Sequence, residues 1–126
     1  MATGFDDGAY RADLGVGTSG GGVVSLANPF GRPVVVTGVA LSITTASTGA
    51  STIDVGIAAG ATTSADNLID GRSGATIGTF ASGGADAGTN GKSAQVWGTT
   101  QFLTASQASG AVAGLAGKLV IKFYPV

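Results

Sequence analysis

The residues best equipped for chemistry are carboxylates. The chain has seven acidic residues and all are aspartates: Asp6, Asp7, Asp13, Asp54, Asp66, Asp70 and Asp86. Asp66 and Asp70 lie in a short knot, Asp66-Asn67-Leu68-Ile69-Asp70-Gly71. Two facing carboxylates can serve a glycosidase as acid and nucleophile or base. Several oxygen ligands at alternating positions can hold calcium. The knot fits neither pattern well, because Leu68 and Ile69 stand where ligands are required. Helix capping and turn formation account for Asp66, Asn67 and Asp70 more simply. Whether the corner binds an ion stays open at this point.

The rest of the catalytic inventory is thin. The chain has no His, no Cys and no Glu. The commonest general base, the thiolate nucleophile and the usual zinc ligands are therefore missing. Gly15 to Gly20, "GVGTSG", matches G-x-G-x-x-G, a pattern that calls for a strand before it and a helix after it, but what reads as a polar arm precedes it and "GGVVSLANP" follows, with Pro29 close behind. The phosphate-cradling mechanism needs both elements. Lys92, Lys118 and Lys122 are isolated and read as solvated or interface lysines. Trp97 and Phe102 can stack on a sugar or anchor an interface. These readings predict no enzyme, no cofactor and no metal.

The elements that must position these residues are strands. With 126 residues the chain fits one domain with one core. It has 23 Gly, only 10% charged residues and a mean hydropathy of +0.40. Thr, Val and Ile favour strands, whereas Gly, Asn and Asp favour turns. Val34 to Thr45 alternates, with Val35, Thr37, Val39, Leu41 and Ile43 expected to face inward. "ASTGA" turns the chain, and Thr52 to Ala58 follows with Ile53, Val55 and Ile57 inward. The two are expected to form a β-hairpin. Ser64 is expected to cap a single helical turn, and Asp70-Gly71 to form a turn. Short strands are expected at Val23 to Ala27, Ala75 to Phe80, Ser93 to Trp97 and Thr99 to Thr104. "ASQASGAVAGLAG" reads as a Gly/Ala loop. Lys118 to Tyr124 closes the chain with Leu119, Ile121 and Phe123 inward. The first and last good strands are both strongly apolar, which suits pairing in the middle of a sheet.

Seven or eight short strands joined by uneven loops predict an all-β, single-domain β-sandwich of jelly-roll type. Residues 1 to 21 read as an extended N-terminal arm, and residues 22 to 126 as the sandwich. Phe5, Tyr10 and Leu14 are the apolar anchors of the arm. With Trp97 and Phe102 they are the expected partner-binding residues. The net charge of −1 supplies no basic stripe, so nucleic acid is not an expected partner. No apolar run is long enough to span a bilayer as a helix, and the first residues lack a signal-peptide pattern. The expected location is intracellular, or outside the cell after release by lysis rather than by secretion. So little charge suits a surface that another protein covers.

Three segments carry a resemblance: "VVVTGVALSITTASTGASTIDVGIAAGATTSADNLIDG", "GTNGKSAQVW" and "FLTASQASGAVAGLAGKLVIKFY". Their Ala/Gly/Thr-rich strands, the "SADNLIDG" corner and the Gly/Ala stretch before the last strand resemble jelly-roll head decoration, or cement, proteins of tailed bacteriophages. The resemblance spans about residues 22 to 125. It implies a structural virion protein, made in the host cytoplasm, that sits on the outer capsid surface. There it would bind the major capsid protein as a homo-oligomer, often a trimer, and clamp neighbouring subunits. The alternative is a receptor- or carbohydrate-binding β-sandwich of a tail or fibre.

Overall fold

The structure is a computed structural model that describes residues 9–15, 22–84, 87–110 and 113–125. Nine strands run in order: β1 Ala9–Asp13, β2 Val24–Ala27, β3 Val34–Thr45, β4 Ser51–Ala58, β5 Ile69–Ser73, β6 Gly78–Ala81, β7 Gln95–Trp97, β8 Phe102–Gly110 and β9 Ala116–Pro125. They form two antiparallel sheets. Sheet A has the order β1-β9-β3-β6, with β7 also paired to β3, and sheet B has the order β2-β8-β4-β5. Beginning meets end throughout: β1 pairs β9, β2 pairs β8, β3 pairs β6 and β7, and β4 pairs β5. That is a hairpin rolled across two sheets, the jelly-roll topology.

The core is where the period-two faces of both sheets meet. Leu41, Ile43, Leu119 and Ile121 of sheet A and Ile53, Val55 and Leu103 of sheet B are at most 1% exposed. Each such side chain contributes about 1.5–3 kcal/mol. Leu68 and Ile69, at the edge of sheet B, join the same cluster. At one end the turn Asn28–Pro33 closes the sandwich with an aromatic plug. Phe30 stacks edge-on against Tyr10 and Trp97, at centroid distances of 6.3 and 5.7 Å, and lies 4.3 Å from Phe123. Asn28 fixes that turn. Its Nδ2 donates to the carbonyls of Arg32 and Trp97 at 3.0 Å each, and its Oδ1 accepts the Phe30 N–H at 2.8 Å.

Several expectations are corrected. The 1–21 arm holds a strand of the sandwich: β1 pairs β9 from Ala9↔Lys122 to Asp13↔Lys118, and Ala12 and Leu14 are buried in the core. The sandwich therefore includes residues on the arm's side of the expected boundary, while Phe5 lies outside the described residues. β3 and β4 are not a hairpin. β3 belongs to sheet A and β4 to sheet B, so Ala46–Ala50 carries the chain between sheets. Ser47 stabilises this crossover by donating its N–H to Gly74 O at 2.9 Å and its Oγ to Gly49 O at 2.7 Å. The helical turn expected after Ser64 does not form, since residues 63–66 have no regular structure. The expected Gly/Ala loop begins as strand, because residues 106–110 continue β8 along β4.

The inward face of β3 also differs from simple alternation. Val34 and Val36 are buried and so are Val39, Leu41 and Ile43. The register passes from Val36↔Phe123 to Gly38↔Lys122, which leaves Thr37 as an extra residue. A β-bulge of this kind flips the facing of everything before it. Val35 therefore points outward. Past the bulge Ser82 takes the place of a strand partner: its Oγ accepts the Val39 N–H and its own N–H donates to Val39 O, both at 3.0 Å.

The bulge makes a testable distinction between neighbours. Val36→Asp and Val39→Asp each bury an unpaired charge, a cost of several kcal/mol, and neither variant is expected to fold. Val35→Asp is expected to fold with a melting temperature near that of the parent. Thermal denaturation followed by circular dichroism checks this, and a folded Val36→Asp would refute the bulge.

Candidate functional site

The aspartate knot is a corner that ties four parts of the chain together. Asn67 does most of the tying. Its side-chain Oδ1 accepts the Ile57 N–H at 2.8 Å and its Nδ2 donates to Ile57 O at 3.0 Å. One amide side chain thus reproduces the pair of bonds that a neighbouring strand would make. Leu68 N–H continues the ladder to Val55 O at 3.0 Å. The Asn67 carbonyl accepts the Lys92 N–H at 3.0 Å and Gln95 Nε2 at 3.2 Å.

Asp70-Gly71 is a bulge, not the expected turn. Ile53 pairs Arg72 and Val55 pairs Ile69, so two residues of β5 oppose Asp54 alone. Gly71 has φ of 80° there, a conformation that favours glycine. Its N–H donates to Asp54 Oδ1 at 2.8 Å. Asn90 bridges the other two carboxylates, giving its backbone N–H to Asp70 Oδ2 at 3.1 Å and its Nδ2 to Asp66 Oδ2 at 3.0 Å. Each aspartate is thus held by a neutral N–H donor. Among the described residues no three His, Cys, Asp or Glu side chains form a group able to hold a metal. The corner is built to fix β5 and the 87–92 loop.

Burial raises the Asp54 carboxyl above the usual carboxylate range. The Gly71 N–H lowers it, and the neighbouring Asp66 and Asp70 charges add to the rise.

The expected partner-binding residues part company. Trp97 is fully buried, and its Nε1 donates to Gln101 O at 3.0 Å. Tyr10 is half-buried against Phe30, and Leu14 is in the core. Phe102 is half-buried at the start of β8. Tyr10 and Trp97 meet through Phe30, as part of the aromatic plug. Trp97 offers no surface for a sugar or a partner.

The surface missed by sequence reasoning is the outer face of sheet A. Directly opposed residues of antiparallel strands share a face. The pairs Arg11↔Val120, Ala40↔Val120, Ala40↔Ala81, Asp13↔Lys118, Ser42↔Lys118 and Gly38↔Lys122 therefore lie on one side. Val35 sits there too, between Tyr124 and Val96, which are 67% and 56% exposed. Two open depressions adjoin along this face. One of about 400 Å³ is lined by Arg11, Ser42, Thr44, Gly117, Lys118 and Val120. The other, of about 220 Å³, is lined mainly by Gly38, Ala40, Ala81, Ser82, Val120 and Lys122. Lys118 is bonded to Asp13, its cross-strand neighbour. The face is thus apolar and small-chained, with a cationic excess from Arg11 and Lys122. The signal in the sequence was the even-numbered set Lys118, Val120, Lys122 and Tyr124, once Leu119 and Ile121 face inward.

The outer face of sheet B is different, because the chain covers part of it. The segment from 59 to 67 lies across it. Ser25 Oγ donates to Ala61 O at 2.7 Å, and Thr104 Oγ1 donates to Thr63 O at 2.9 Å. Thr104 and Ser106 are fully buried although they alternate with the core residues Leu103 and Ala105. Gly56 allows this approach. A Cβ there would lie 2.6 Å from Asn67 Oδ1 and 2.8 Å from Ala65 Cβ.

The Asp54 environment predicts a pH effect. A carboxyl whose folded pKa is raised favours the folded state when protonated. Its stabilising effect is full below the unfolded value of 3.8 and is lost as pH rises through the folded value. Asp54→Asn keeps an oxygen acceptor for Gly71 N–H and removes the titration. Urea denaturation across acid to neutral pH is expected to show a segment of falling stability just above pH 3.8 in the parent and its loss in Asp54→Asn. Identical profiles would contradict the assignment.

No family model matches the chain, and neither a curated protein nor a solved structure matches it.

Proposed function

We propose that this chain is a capsid decoration protein of a tailed bacteriophage. In this reading it docks the outer face of sheet A onto an acidic area of the major capsid protein and clamps neighbouring subunits. The observation that carries the reading is the contrast between the two sheets: one outer face is partly covered by the 59–67 segment, and among the described residues no segment covers the other. The sequence resemblance points the same way.

The chemistry of the bare face suits a cement function. Val35, Ala40, Ala81, Val96, Val120 and Tyr124 give apolar contact area, and few charged groups need to be stripped of water when it is covered. Arg11 and Lys122 make the face cationic, which disfavours packing it against the same face of a second copy and favours an anionic partner. Many identical copies, each bridging several subunits, turn a modest contact into a stable coat through avidity. The carbohydrate-binding alternative drew on Trp97 and Phe102 as a stacking platform, and the burial of Trp97 removes half of that platform.

The test is add-back of purified protein to phage heads that lack it. The expected result is saturable coating, many copies per head, with heads that resist heating better. Arg11→Glu combined with Lys122→Glu is expected to keep the parental melting temperature and lose coating, and salt is expected to weaken coating by the parent. Absence of coating by the parent, or a handful of copies confined to the tail, would overturn the function. Unimpaired coating by the double variant would overturn the choice of face.

A further inference from the structure

Asn90 and Gly91 remain outside the functional reading, yet the structure makes them conspicuous. The chain contains three asparagines, Asn28, Asn67 and Asn90. Spontaneous loss of an asparagine amide begins when the backbone nitrogen of the next residue attacks the side-chain carbonyl carbon. That step needs an ionisable N–H and an unhindered neighbour. Asn28 precedes Pro29, which has no N–H. Asn67 precedes the branched Leu68, and its amide is held at both ends by Ile57. Asn90 precedes Gly91, which has no side chain, and it is exposed.

The fold also explains why so labile a pair stands here. A Cβ at position 91 would lie 2.2 Å from Ala87 O and 2.6 Å from Leu68 O, so the backbone packs too closely for any other residue. At position 90 the backbone N–H serves Asp70, and a side-chain donor is needed for Asp66, which the asparagine Nδ2 supplies. Each residue is fixed by its own structural requirement, and the labile dipeptide results from having both.

We propose that Asn90 is a site of spontaneous deamidation whose product loosens the aspartate corner. Solvent base takes the Gly91 N–H proton. The nitrogen then bonds to Asn90 Cγ, the Cγ–Nδ2 bond breaks, and ammonia leaves with a proton from solvent. The resulting five-membered imide is opened by one water molecule at either carbonyl, giving aspartate or isoaspartate. The balance is asparagine plus water to aspartate plus ammonia, with no oxidation. The product has lost the Nδ2 donor to Asp66 and places a new carboxylate beside Asp66 and Asp70. Isoaspartate also adds a backbone carbon where Gly91 is packed against Leu68 O and Ala87 O. Both changes strike the loop whose Lys92 N–H holds Asn67 O. In the folded protein the Nδ2 bond to Asp66 restrains the side chain and the backbone N–H bond to Asp70 holds the residue in place, so conversion follows opening of the corner. The site therefore records how often the 87–92 loop opens, whatever the chain binds.

The experiment ages the intact protein in mildly alkaline buffer. Peptide mapping by mass spectrometry, ammonia release and labelling by isoaspartyl methyltransferase follow the products. Conversion is expected at Asn90 first, with Asn28 and Asn67 still amides, and the converted fraction is expected to melt at lower temperature. Asn90→Asp is the synthetic product. Its melting temperature is expected to fall below the parent's at neutral pH. Asn90→Ser cannot form the imide and is expected to release no ammonia from this site. Conversion at Asn67 before Asn90, no conversion at Asn90, or a converted fraction that melts like fresh protein would overturn the proposal. If Asn90→Asp does not fold, the peptide map of the aged parent still decides the site.

Discussion

β3 pairs with β9 through ten residue pairs, from Val34↔Pro125 to Thr45↔Ala116, and both strands are apolar on the face they turn to the core. Residues 71 to 91 positions apart thus become neighbours in the middle of sheet A. Once this ladder exists, β1 has an edge of β9 to join, and β6 with β7 have the other edge of β3. The ladder also presents Leu41, Ile43, Leu119 and Ile121 as one apolar surface for sheet B to cover. Such non-local pairing carries a large loop-closure cost before any contact offsets it, so jelly rolls of this kind belong to the slower-folding topologies.

The two sheets meet the same problem differently. A sheet buries one face against its partner and leaves the other to be solvated or covered. Sheet B is partly covered from within. The 59–67 segment supplies carbonyls for the hydroxyls of Ser25 and Thr104, and Asn67 supplies both halves of a strand partner for Ile57. Among the described residues nothing covers the outer face of sheet A, which carries short side chains and a few cations. Small residues serve both arrangements. On sheet B they let backbone approach backbone, as at Gly56. On sheet A they leave a smooth face with two adjoining depressions.

The aspartates show how structure can resemble chemistry. Asp54, Asp66 and Asp70 gather at one corner, and their mutual repulsion contributes to the raised Asp54 pKa. Each nevertheless accepts an N–H, from Gly71 or Asn90, and each bond fixes a bulge or a loop. The carboxylates serve as acceptors for backbone groups that the irregular edge of β5 leaves without a ladder. Asp54, Asp66 and Asp70 are each only partly buried, so their charges keep some contact with solvent.

Period-two alternation made most of the fold legible. It depends only on neighbours in sequence, and so Ile53, Val55, Ile57, Leu119 and Ile121 could be placed inward from the sequence by itself. The apolar character of β3 and β9 announced their pairing, and the number of strands announced a sandwich. What needed tertiary structure was every feature set by a distant partner. A single extra residue, Thr37, reverses the facing of Val35 and Val36, and only the register against β9 reveals it. A five-residue turn serves a hairpin and a sheet-to-sheet crossover equally well, so the fate of β4 was decided by β8. Residues 106–110 have the composition of a loop and are drawn into a strand by the edge of β4. Trp97 looks like a surface anchor until Phe30, brought to it by the Asn28 turn, covers it. Sequence determined which segments are strands, because that preference is local. Tertiary structure decided which faces are buried and which one stays bare, because burial depends on what else arrives there.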